Sequence, residues 1–239
     1  MLDAELGGQR LLWVSPLLNS TPGHALRGGV PLCFPWFGKH PDGLPAHGFA
    51  RNRDWNQISL TRNRAVFELV DDDATRALWP HRFRAKLAIE LGDGLHFEFS
   101  VQNLDEVSFT FSYALHSYFA VADSTLCAVE GLEGKLHREV GRVTTPQVGR
   151  VQLDRPTDAI FERAPETIWL LDGKRSVQID GEGMTSAVVW NPGVAGADVP
   201  DIGKHWREFV CVERGNVGAS AITLQPRAKH VAGMRIRVG

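Results

Sequence analysis

The 239-residue sequence predicts an all-β fold, an antiparallel sandwich or barrel, on three observations. Apolar side chains recur with period two in run after run. Turns rich in glycine and aspartate separate those runs. No window of helical length carries a convincing apolar stripe of period 3.6.

The alternation is cleanest in 94–103, where Leu95, Phe97, Phe99 and Val101 face one way and His96, Glu98, Ser100 and Gln102 the other. That is the signature of a half-buried strand. In chain order the same pattern predicts strands at 10–14, 64–70, 85–91, 106–114, 167–171, 175–180, 185–190 and 230–237. Hairpin-grade turns are expected at 92–94 (GDG), 171–174 (LDGK) and 180–183 (DGEG). A short helical turn is expected around 201–206. With no internal repeat or linker, residues 1–239 read as one domain. The segment 27–53 stands apart, rich in Gly, Pro and aromatics, and it holds too many aromatics for a disordered stretch. A loop of that length inside a compact domain is usually functional.

Hydrophobic residues make up 43% of the chain, ample for a packed core. A formal net charge of −2, with basic residues scattered, gives no electrostatic footprint for nucleic acid or an anionic membrane. The most apolar stretch, 109–122, is broken by Ser112, His116 and Ser117 and is too short to cross a bilayer. The opening MLDAELGGQR lacks the apolar core of a signal peptide, so a cytoplasmic location is expected. Cys33, Cys127 and Cys211 are too few and too far apart for a disulfide framework and read as small core residues. HExxH and CxxC are absent and the nine histidines lack ligand spacing, so neither metal nor cofactor is expected.

Two titratable side chains sit in runs that otherwise read as buried strand: His116 in LHSYFAV (115–121) and Glu213 in REFVCVERGNV (207–217). Charging a group beside apolar neighbours is costly, and a partner or a task must compensate. His116 shares a face with Tyr118, and Glu213 shares one with Phe209 and Cys211. A histidine and a glutamate meeting across one cleft can give and take protons near neutral pH. Arg27, ahead of a glycine pair, and Arg51, after HGFA, are candidate phosphate ligands, since forked guanidinium donors match phosphate oxygens. The plainer alternative is that each pairs with a carboxylate or caps loop carbonyls. The glycine pair would let backbone and guanidinium approach a ligand closely. Asp158 reads alone as a turn aspartate. Trp36, Trp190 and Trp206 read as core residues or sugar-stacking platforms.

Taken together, RGGVPLCFPWFG (27–38), LPAHGFAR (44–51), FSYALHSYFAV (111–121), the Asp158 segment, VVWNPG (188–193) and KHWREFVCVERGNV (204–217) resemble the glucose-6-phosphate 1-epimerase (hexose-6-phosphate mutarotase) family, a branch of the aldose 1-epimerase group. The resemblance implies an antiparallel β-supersandwich of the galactose mutarotase type with sugar bound on a concave face. It implies His116 and Glu213 as the catalytic pair, and Arg27, Arg51 and Asp158 as substrate contacts with His47 beside them. Relatives often carry glutamine at the position of Ala46, so sugar preference is expected to shift there; an N-terminal extension of longer relatives is expected to be missing. The implied reaction interconverts α and β anomers of a hexose 6-phosphate without metal or cofactor, in a monomer or weak dimer. Glu213 is expected to act as base on O1–H and His116 as acid at O5, with nearby acidic groups raising the protonated fraction of His116. An epimerase for unphosphorylated sugars and a non-catalytic sugar-phosphate binder are the competing readings.

Overall fold

In a computed structural model, which describes every residue except 22, 140–143 and 174, the chain folds into two large antiparallel sheets. The eight-stranded sheet runs Thr145–Pro146, Leu136–Glu139, Thr157–Phe161, Ser186–Asn191, Phe209–Asn216, Tyr113–Leu115 and Leu32–Cys33, with Tyr118–Ala120 also paired to Phe209–Asn216. The nine-stranded sheet runs Val151–Gln152, Ala128–Glu130, Thr167–Leu171, Ser176–Glu182, Lys229–Val238, Leu95–Asn103, Phe83–Leu91, Arg64–Val70 and Asn56–Leu60. The expected all-β architecture is therefore what the chain adopts.

The core is built from the inward halves of the alternating strands. Leu95, Phe97, Phe99 and Val101 are each at most 2% exposed and join Phe34, Phe83, Phe111 and Tyr113 in one continuous cluster. Burial at roughly 25 cal/mol per Å² of apolar surface makes this seam the main source of stability. Phe34 is its hub, making edge-on contacts with Phe49, Trp79, Phe83, Phe99 and Phe111 at centroid distances of 5.5–6.5 Å.

Three expectations need correction. Residues 10–14 do not form a strand; Leu11, Leu12 and Trp13 are buried in succession and meet their neighbours through single bridges, Leu12 to Phe119 and Val14 to Gly28. The run 106–114 breaks at Ser112, whose amide bonds the Pro35 carbonyl and whose hydroxyl accepts the Phe37 amide. Its halves, Phe109–Phe111 and Tyr113–Leu115, then enter different sheets. The strand expected at 175–180 continues to Glu182, past the turn expected at 180–183. Gly181 faces inward there, and a Cβ at that position would collide with the guanidinium of buried Arg214. The helical turn expected at 201–206 is a 3-10 segment at Gly203–Glu208. In the turn expected at 171–174, Lys174 lies outside the described residues.

The segment 27–53 is tied down rather than loose: Leu32–Cys33 adds a strand to the eight-stranded sheet and Ala50–Asn52 forms a 3-10 turn. Its glycine pair serves the fold. A Cβ on Gly28 (φ +124°) would stand 2.5 Å from Val14 Cα and 2.6 Å from the Trp13 carbonyl oxygen, so backbone, not a ligand, occupies that space. Gly28→Ala is expected to destabilise the protein by about 2–4 kcal/mol, read as a melting temperature lowered by about 5–15 °C; an unchanged value would contradict this packing.

Candidate active site

The face of the eight-stranded sheet that does not line the main core carries the titratable groups. Register places Asp158 opposite Trp190, Trp190 opposite Cys211 and Cys211 opposite Tyr118, one row across four strands. The next row on that face, two residues along, runs Ile160, Val188 and Glu213. Alternation therefore directs Glu213 where the sequence suggested, on the side of Phe209 and Cys211.

His116 arrives differently. It lies not within a strand but in the break between Tyr113–Leu115 and Tyr118–Ala120, its amide bonded to the Pro31 carbonyl. That break turns the imidazole onto the Glu213 face. Nε2 stands 3.3 Å from Glu213 Oε1, and the two side chains are 8% and 1% exposed. Among the described residues His116 Nδ1 and Glu213 Oε2 have no hydrogen-bond partner although both are buried. Buried polar atoms without partners are uncommon, and when they cluster on titratable groups they mark a site with a task.

Charge is disfavoured at both members. Burial, then the field of Asp158, raises the Glu213 carboxyl well above its ordinary value, against the opposing pull of Arg51. Burial, then His47, Arg51 and Arg27, holds His116 well below the ordinary imidazole value. This reverses the expectation that acidic neighbours would favour imidazolium; the cationic and imidazole groups around the ring act the other way. Burial therefore favours the neutral form of each member, carboxylic acid and uncharged imidazole.

The neighbouring residues frame this pair. Tyr118 stacks on the His116 ring at 4.7 Å and 8° and is 1% exposed. Trp190 meets His116 edge-on at 6.1 Å, and His47 does so at 5.7 Å. His47 adopts φ 65° in the left-handed region, and its Nδ1 accepts the Gly38 amide at 3.4 Å. Burial, then Arg51 and Arg27, brings His47 down to about 4, so the ring is neutral and its proton sits on Nε2 as a donor. Asp158 is half-buried, and burial raises its carboxyl.

Both arginines reach the site electrostatically, and each has the plain partner that the sequence allowed for. Arg27 donates from Nε to Asp201 Oδ2 and from NH1 to the Tyr118 hydroxyl, both at 3.0 Å. Arg51 donates from NH2 to the Ala46 carbonyl at 3.0 Å, and its Nε has no partner among the described residues. Ala46 thus anchors Arg51 through its backbone. Sequence reasoning missed Asp201 entirely, because no local pattern links it to Arg27, 174 positions away. Tyr118 was legible only as the period-two neighbour of His116.

A hollow of about 870 Å³ lies elsewhere, on the nine-stranded sheet between Glu90, Glu98, Asp180, Arg235 and Arg237. Its wall mixes charges of both signs and includes none of the groups above. Among the described residues no helix is long and apolar enough to cross a membrane.

The sequence model for the aldose 1-epimerase family matches residues 3–237. A protein of Salmonella typhimurium that carries the provisional name glucose-6-phosphate 1-epimerase is 34% identical over 229 residues, 87% of this chain and 73% of the relative. The crystal structure of a Salmonella typhimurium protein provisionally titled a mutarotase superposes with a TM-score of 0.89 at 29% identity, covering 100% of this chain and 83% of that one. A galactose mutarotase related enzyme from Lactobacillus acidophilus shares the fold, with a TM-score of 0.77 at 17% identity over 98% of this chain and 88% of its own.

Proposed function

This chain belongs to the aldose 1-epimerase family, and from that premise we propose that it interconverts the α and β anomers of a hexose 6-phosphate, glucose 6-phosphate first, with His116 and Glu213 as the acid–base pair. The observation that carries the proposal is the buried 3.3 Å contact between His116 Nε2 and Glu213 Oε1, with an unpartnered polar atom on each. Residues 1–239 act as one domain in this reading, since the face that carries the pair and the core face belong to the same sheet.

Opening the ring requires a proton to leave O1 and another to reach O5 as the C1–O5 bond breaks. Glu213 accepts the O1 proton while His116 delivers one to O5, giving the open-chain aldehyde. After rotation about C1–C2, O5 attacks the other face of C1, His116 recovers its proton and Glu213 returns one to O1. Atoms and charge balance, and each group ends as it began. The carboxylic acid with neutral imidazole, favoured by burial, is also the state between opening and closure. A phosphate dianion beside the arginines offsets part of the positive field on His116 and so favours the imidazolium needed to start.

Arg27 and Arg51 hold the phosphate in this reading, with Asp158 and the Nε2–H of His47 around the ring. The deciding experiment is exchange NMR of glucose 6-phosphate, glucose and galactose anomers with catalytic amounts of protein. Faster exchange of glucose 6-phosphate than of either free sugar supports the proposal. Equal or greater acceleration of the free sugars assigns the chain to unphosphorylated substrates, and binding without acceleration makes it a sensor. Arg51→Ala is expected to raise KM for glucose 6-phosphate about 10–100-fold, the loss of a charge-assisted contact, and to change KM for glucose much less. Equal effects on both sugars would remove Arg51 from the phosphate site.

A further inference from the structure

We propose that Tyr118 is a positioning residue for the acid step: its ring, stacked face to face on His116, stabilises the imidazolium that delivers a proton to O5. This rests on the anomer-exchange reading above and deepens it. Side chains two residues apart on a regular strand stand about 6–7 Å apart. At His116 the strand is interrupted. The Ser117 amide bonds the Leu115 carbonyl at 3.0 Å, and His116 keeps a negative φ, so an inverse γ-turn centres on the histidine. The chain draws in there, and the two rings meet at 4.7 Å with 8° between their planes. An uncharged aromatic face that close favours a cation over a neutral partner.

Tyr118 is itself held from several sides. Trp13 lies at 6.0 Å and 28°, Trp190 meets it edge-on at 6.3 Å, and Phe209 packs at 5.4 Å. Its carbonyl accepts the Trp13 amide, its own amide donates to the Gly29 carbonyl, and its hydroxyl accepts from Arg27 NH1. Burial keeps the phenol protonated, so the ring presents a π face and not a phenolate. The other groups around His116 give imidazolium little support. Burial, then His47, Arg51 and Arg27, opposes charge on the ring, and Arg27 is paired with Asp201. Cys33 and Cys211, within the field of Glu213, are kept as neutral thiols by burial. Glu213, 3.3 Å away, favours imidazolium only while ionised, and burial, then Asp158, works against that. Tyr118 favours it in either state of the carboxyl.

The test keeps the shape of the ring and changes its charge distribution. Tyr118→Phe removes the hydroxyl and leaves the face. Phenylalanine with three or five ring fluorines, placed at 118 by codon reassignment, drains electron density from that face in steps. Two quantities are read in each protein. One is the proton affinity of His116, by NMR of nitrogen-15-labelled histidine; the other is the pH profile of glucose 6-phosphate anomer exchange. With phenylalanine both should stay within about 3-fold of wild type. With five fluorines the proton affinity should fall about 2–30-fold below the phenylalanine variant, with three fluorines between. The exchange rate should fall in the same order but by less, since a more acidic imidazolium gives up its proton more readily. The acid limb should move to lower pH, because His116 holds its proton more weakly, while the basic limb, set by the Glu213 proton, stays in place. A site that is merely loosened admits water, relieves burial and brings both limbs toward their ordinary values. That movement, or equal behaviour of phenylalanine and its fluorinated analogues, overturns the proposal. The NMR titration needs no turnover. A wild type that accelerates no sugar, while His116 still loses proton affinity along the series, would sink the enzymatic reading and leave the effect of the stack standing.

Discussion

Glu213→Gln is expected to slow anomer exchange of glucose 6-phosphate by about 10²–10⁴-fold while the protein becomes more stable at neutral pH. The amide cannot accept the O1 proton, so the base is lost outright. It can still donate to the neutral imidazole across the 3.3 Å gap that the carboxyl spans now, so the local geometry has no reason to change. The gain in stability follows from linkage. Burial raises the Glu213 carboxyl, so the folded state keeps a proton that the unfolded chain releases above its ordinary value. Wild-type stability contributed by this group is therefore full below that ordinary value and declines as pH rises through the folded value. Glutamine has no such term, so the advantage of the variant grows over the same window. Each kcal/mol gained would lift the melting temperature by about 2–4 °C. Near-normal exchange would end the case for Glu213 as base; lost exchange with a lowered melting temperature would point to a packing role instead.

The same opposition between burial and charge explains which parts of the molecule could be read from the sequence. Period two names the inward face of Leu95–Asn103 without ambiguity, because every second side chain is large and apolar. It also places Glu213 on the face of Phe209 and Cys211, since that strand is regular from end to end. The pattern fails where a residue answers to something distant. Ser112 breaks its strand because Pro35 and Phe37 supply better partners than a continued ladder. Gly181 looks like a turn glycine, yet it keeps to the strand because Arg214 needs the space its side chain would fill. His116 faces the expected side although alternation is only part of the reason, as the strand stops on either side of it. Its protonation departs from the expected one because burial dominates, and the arginines that add to it come from the 27–53 segment, whose course no local pattern fixes. Asp201 lies beyond local patterns altogether.

His116→Asn is expected to cost about 10²–10⁴-fold in exchange rate, and its pH profile separates the role of the acid from that of the base. In wild type the active form carries one proton on the pair. A second proton disables the base at low pH, and loss of the last one disables the acid at high pH. Because burial opposes charge on either member, the acid limb should lie below the ordinary imidazole value and the basic limb above the ordinary carboxylate value. The result is a bell-shaped profile. With asparagine at 116 only Glu213 titrates, so the residual rate should climb with pH and stay high. With glutamine at 213 only His116 titrates, and the residual rate should fall as pH rises. Two variants of one bell would thus give slopes of opposite sign. Should both retain the bell, the protons that limit exchange belong to other groups, with Asp158 and His47 the next to substitute.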